Sequence, residues 1–169
     1  MKRRYATHRL ASTLSIPLSQ YVIWQGGAPG VPHDWAAPTN WVQGRVPSEG
    51  DIVIIPPVDH SEVLPPIIDR RVPNIGQLRI ERGGFLAILR KGQVCIDGLG
   101  LDYGGLINHG TFVLSGELHI LHPWDMSLIN TGIFIHKGIL VLDRWSWQTV
   151  HHAPGSRYLG QGLTEELVF

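Results

Sequence analysis

Leu106-Ile107-Asn108-His109-Gly110-Thr111-Phe112-Val113-Leu114-Ser115-Gly116-Glu117-Leu118 is echoed 22 positions later by Leu128-Ile129-Asn130-Thr131-Gly132-Ile133-Phe134-Ile135-His136-Lys137-Gly138-Ile139-Leu140. Seven of the thirteen paired positions are identical: Leu, Ile, Asn, Gly, Phe, Gly and Leu. The register carries on to Ile120 against Leu142. A period of about 20–25 residues made of short alternating strands is the mark of a solenoid, one repeat per coil.

Within a repeat, Phe112, Leu114, Leu118 and Ile120 alternate with Thr111, Val113, Glu117 and His119. That period of two sends one set into a core. Gly110, Gly116, Gly132 and Gly138 fall where the coil must turn and where a side chain would strike the next rung. The same glycine-led phrase recurs at Gly76, Gly84 and Gly92, eight residues apart. Asn108 and Asn130 occupy equivalent turn positions, where stacked amides can bond along the axis. An antiparallel sandwich with two similar hairpins is the competing reading, and the repeat's register across two strands favours the parallel coil. His109, His119 and His136 read as turn or outward positions exposed to solvent.

The chain has 169 residues, 43% of them hydrophobic and 17% charged, with 20 Gly and 12 Pro. This suits one domain of short strands and tight turns rather than a helical bundle. Net charge is zero, so no basic excess exists to drive phosphate binding and nucleic acid is not an expected partner. No apolar run approaches the ~20 residues that a membrane helix needs, and membrane insertion is not expected. Cys95 is the single cysteine and reads as a small packed residue.

Three regions follow: an N-terminal arm over residues 1–20, a β-solenoid domain with caps at both ends over residues 21–162, and a C-terminal tail over residues 163–169. Lys2-Arg3-Arg4 followed by the apolar stretch from Leu10 to Leu18 imitates a signal peptide. Its interior is studded with Ser and Thr, holds Pro17 and lacks a small-x-small site, so an extended arm is the expectation. Residues 21–57 are rich in Trp, Gly and Pro, and Asp51-Ile52-Val53-Ile54-Ile55-Pro56 reads as a strand ended by proline. The recurring phrase runs from Ile75 to Leu142 and then lapses.

Trp24-Gln25-Gly26-Gly27, Asp34-Trp35, Asn40-Trp41, Val46-Pro47 and the strand ending in Ile55-Pro56 form a connected opening phrase. With the later Leu78-Arg79-Ile80-Glu81-Arg82-Gly83-Gly84-Phe85-Leu86, it resembles β-solenoid domains of bacterial secreted surface proteins and adhesins of the Bacteroidetes type. The resemblance covers residues 23–142. It implies an all-β, short right-handed parallel β-helix with a Trp-rich N-terminal cap, set at the cell surface or outside the cell.

Candidate chemistry is sparse. Trp24, Trp35 and Trp41 are expected to seal the first rung, whereas Trp124, Trp145 and Trp147 are candidates for a contact surface, with carbohydrate as the ligand. His119 with His122, and His151 with His152, lack a third metal ligand at a diagnostic spacing. Asp97, Asp102, Glu117 and Asp143 do not recur in register, which argues against a sugar-cleaving groove. No catalytic, cofactor-binding or metal-binding residue is assigned. A solenoid leaves unpaired strand edges at its ends. The expectation is therefore a structural protein that joins copies of itself into a filament or other homopolymer. Leu10, Leu14, Ile16 and Leu18 of the arm and Leu167, Val168 and Phe169 of the tail are its candidate interface. A monomeric adhesin or carbohydrate-binding module is the alternative.

Overall fold

The computed structural model describes residues 20–58, 63–98, 105–121, 127–143 and 150–167. Among these described residues, fifteen strands follow in order: β1 Tyr21–Ile23, β2 Ile52–Ile55, β3 Ile67–Ile68, β4 Gln77–Ile80, β5 Phe85–Ile88, β6 Gln93–Ile96, β7 Leu106–Asn108 and β8 Thr111–Leu114. Then come β9 Glu117–Ile120, β10 Leu128–Asn130, β11 Ile133–His136, β12 Ile139–Asp143, β13 Val150–His152, β14 Arg157–Gly160 and β15 Leu163–Leu167. They stack into three parallel sheets, ordered β1-β2-β4-β7-β10-β13, β3-β5-β8-β11-β14 and β6-β9-β12-β15. Each of the four turns β4–β6, β7–β9, β10–β12 and β13–β15 contributes one strand to each sheet, with β1, β2 and β3 stacked before them, so the chain is a three-sided parallel β-solenoid of about four turns.

The sequence repeat is the physical repeat. Leu106 pairs with Leu128, Asn108 with Asn130, Phe112 with Phe134 and Leu118 with Leu140. Both phenylalanines are buried, with ring centroids 5.0 Å apart. Asn108 Nδ2 donates to Asn130 Oδ1 at 2.8 Å and to the carbonyl of Ile133 at 3.0 Å, so the amide ladder crosses the rungs inside the core. Its lower end stops at Asn108, whose Oδ1 has no hydrogen-bond partner. The rung beneath presents Ile80 at that position, which has no side-chain donor.

Two glycine columns run up the corners. A Cβ on Gly110 would press on the carbonyl of Gly84, and one on Gly132 on the carbonyl of Gly110. In the second column Gly116 lies over the carbonyl of Gly92, and Gly138 over that of Gly116. The same carbonyls accept the ladder: Ile133 N–H donates to Gly110 at 2.8 Å and Ile139 N–H to Gly116 at 2.8 Å. Glycine is required because a Cβ there would collide with the carbonyl of the preceding turn.

The Trp-rich segment closes the first end as expected. Trp24, Trp35 and Trp41 are each no more than 1% exposed. They meet edge-to-face, with Trp41 centroids 4.9 Å from Trp24 and 4.7 Å from Trp35. Trp41 Nε1 donates to the carbonyl of Trp35, and buried Asn40 knits the loop by donating to the carbonyls of Val31 and Asp34. The Arg45 guanidinium grips Asp51 through two bonds, at 2.6 and 2.8 Å. Burial pushes the Asp51 carboxyl up, but the Arg45 and Ser48 contacts outweigh it and hold it below the usual carboxylate range.

The coil extends past both limits of the recurring phrase. β1 and β2 already stack in register on β4. At the other end, Val150, His152, Tyr158 and Thr164 continue the columns of Leu128, Asn130, Phe134 and Leu140. Residues 163–167, expected as part of a tail, form β15 against β12 of the same chain.

Candidate functional site: the open end of the solenoid

The final turn repeats the backbone without repeating the side chains. Three inward columns lose side-chain bulk there: Leu128 is followed by Val150, His136 by Gly160 and Leu140 by Thr164, while Phe134 is followed by the more polar Tyr158. The deficit leaves a cavity of about 370 Å³ opening at that end. Its floor is Leu128, Phe134, Leu140 and Leu142, and its rim is Val150, His152, Tyr158 and Thr164. Tyr158 is 44% exposed, against 1% for Phe134 and 0% for Phe112 in the column below it. Among the described residues, no strand pairs with the outer edges of β13, β14 or β15.

A polar cluster sits at the rim. His136 is fully buried, a correction to the expectation of a solvated outward histidine. It pairs with Leu114 and so lies on the inward side of β11, stacked on Phe134 with centroids 5.5 Å apart. Its Nδ1 is 2.5 Å from the hydroxyl of Tyr158. Its Nε2 has no partner of hydrogen-bonding geometry. Burial lowers the pKa of His136, only partly opposed by the backbone of Gly138 and Leu163, so the ring favours the neutral state. His152 takes the ladder position of the asparagines, with Nδ1 3.3 Å from Asn130 Nδ2. Its pKa is likewise lowered, first by burial and then by neighbouring His151. Burial raises the Tyr158 hydroxyl pKa, tempered by Thr164.

The opposite end differs. Ile23 is an outward residue of β1, and its amide and carbonyl, which would face an incoming strand, are already used: the amide donates to Gln43 Oε1 and the carbonyl accepts from Val42 N–H, both at 2.9 Å. Among the described residues, the two ends therefore differ: one carries the tryptophan cap against its edge, and the other presents unpaired strand edges.

The residues singled out in the sequence fall mostly elsewhere. Leu10, Leu14, Ile16, Leu18, Val168 and Phe169 lie outside the described residues, as do Trp124, Trp145 and Trp147. Leu167 closes β15, with its backbone paired to Asp143. His119 Nε2 lies 3.2 Å from Glu117 Oε2 on an outer face. Burial, with Asp97, raises the Cys95 thiol pKa, which leaves little reactive thiolate. Among the described residues, no three His, Cys, Asp or Glu side chains gather as a metal site, and no helix is long and apolar enough to cross a membrane.

Tyr158, Thr164, the ladder position of His152 and the inward place of His136 are the features that sequence reading missed. For His136 the signal was parity: it follows inward Phe134 by two residues. For the final turn it was the 22-residue step from Leu128 to Val150. Comparison with protein-family models, with curated proteins and with solved structures finds no match to this chain.

Proposed function

We propose that this chain is a structural protein that assembles with copies of itself through the ends of its solenoid, giving a filament or another homopolymer. The observation that supports this reading is the asymmetry of the two ends. One is covered by a tryptophan cap, while at the other the described residues combine unpaired strand edges, a 370 Å³ mouth with an apolar floor and an exposed Tyr158. Edges of this kind are normally blocked or used, and an end whose complement lies elsewhere on the molecule makes a head-to-tail contact. Negative-stain microscopy of the full chain tests it: elongated particles that lengthen with concentration are expected, and uniform single-subunit particles at every concentration would refute it.

The alternative is a monomeric surface-adhesin or carbohydrate-binding module. It draws support from the resemblance of the opening phrase to surface proteins of the Bacteroidetes type, which would place the chain at the cell surface or outside the cell. The cap tryptophans do not serve that reading, because they are buried against each other. Its test is a glycan titration followed by tryptophan fluorescence.

A further inference from the structure

We propose that the open mouth of each subunit is filled by residues 14–18 of a second copy, laid antiparallel along the free edge of β15. The inference rests on the self-assembly reading and names its partner segment. Leu14, Ile16 and Leu18 alternate with Ser15 and Pro17, the pattern of a strand with one apolar face. That face supplies what the mouth lacks, apolar bulk above Thr164, Tyr158 and Leu140. β15 is the longest edge at this end, five residues, and Thr164 faces the cavity from it.

The direction follows from the ladder. Inward residues send their N–H groups toward the following turn, as Leu78 does to Gly105 at 2.8 Å and Leu106 to Ser127 at 2.9 Å. Outward residues send theirs back, as Thr131 does to Asn108 and Ile139 to Gly116, each at 2.8 Å. A parallel added strand with Leu14 and Ile16 inward would thus aim Ser15 and Pro17 at β15, and proline has no N–H to give. Reversing the strand swaps the edges. Leu14, Ile16 and Leu18 then donate to β15, and Pro17 falls on the outer edge, where it discourages a further strand.

Reach decides between the chain's own arm and a neighbour's. The first sheet is six strands deep, so the mouth lies about 24 Å from the β1 rung at ~4.8 Å per rung. Leu18 is three residues from Tyr21, a span of at most about 11 Å. The segment cannot fill its own mouth, whereas a neighbour's mouth set against the sealed end lies beside it. Basic Lys2-Arg3-Arg4 on the arm and the acidic pair Glu165-Glu166 on β15 favour the same head-to-tail encounter.

The test is disulfide trapping in the full chain carrying Cys95→Ser. Chains with Ile16→Cys are mixed with chains carrying Thr164→Cys and oxidised mildly, with Thr13→Cys, on the other face of the strand, as the control. A cross-linked dimer that needs both partners, is lost with Thr13→Cys, and is accompanied by loss of assembly on deleting residues 1–18 is expected. Assembly of the full chain without that cross-link, or undiminished assembly after the deletion, overturns the arm as occupant but leaves self-assembly standing. A full chain that sediments as a monomer throughout overturns both.

Discussion

The Nδ1 of His136 lies 2.5 Å from the hydroxyl of Tyr158, and the two residues belong to successive turns. This contact ties the last turn to the solid part of the coil. Burial at this end also sets a pH dependence, because it lowers the pKa of His136 and His152 from the ordinary 6.5. The unfolded chain then binds more protons than the folded one below that value. Stability from these rings is fully present above pH 6.5 or so, and is lost as the pH falls from there through the folded-state values. Melting temperature measured from pH 8 to pH 5 should fall on acidification. His136→Leu, which restores the aliphatic column of Leu114, should flatten that fall.

Phe112, Phe134 and Tyr158 form one ring column, with centroids 5.0 Å and 5.3 Å apart. Phe134→Ala removes its middle member and should cost about 3–5 kcal/mol, read by urea denaturation. A cost under about 1 kcal/mol would mean the rungs do not stack as described.

Gly132→Ala sets a methyl against the carbonyl of Gly110, where the backbone leaves no room. Overpacking of this kind costs about 1–3 kcal/mol, and more where backbone cannot shift. His109→Ala, at an exposed turn position one rung away, should leave the melting temperature nearly unchanged. Equal effects from both would contradict the glycine column.

The parts that repeat were legible in the sequence, because a solenoid writes its contacts into its period. Leu106 against Leu128, Phe112 against Phe134 and the asparagine pair all follow from one alignment. The tryptophan cap was legible for another reason, since Trp35 and Trp41 lie outside the repeat and need an apolar place. The open end was not legible: Tyr158 follows Phe134 by 24 residues while Val150 follows Leu128 by 22. The turn through Pro154 and Gly155 breaks the spacing that marks the repeat. Polarity also misled, because His136 keeps an inward parity that its chemistry disguises.

The cap is fastened by Arg45 on Asp51, whose carboxyl is held below its usual range. That contribution is present above the unfolded carboxylate value, about pH 3.9, and disappears as the pH falls through the folded one. Arg45→Gln should lower the melting temperature at pH 7 and make little difference at pH 2. An equal deficit at both pH values would assign Arg45 a packing role instead.

Sedimentation velocity across a concentration series shows whether the open end is an assembly surface. The full chain is compared with Thr164→Arg, which sets a charge in the apolar mouth. The full chain should sediment as concentration-dependent assemblies, and Thr164→Arg as a folded monomer with the same β circular dichroism. A full chain that stays monomeric at every concentration, or a variant that assembles as well as the full chain, would contradict it.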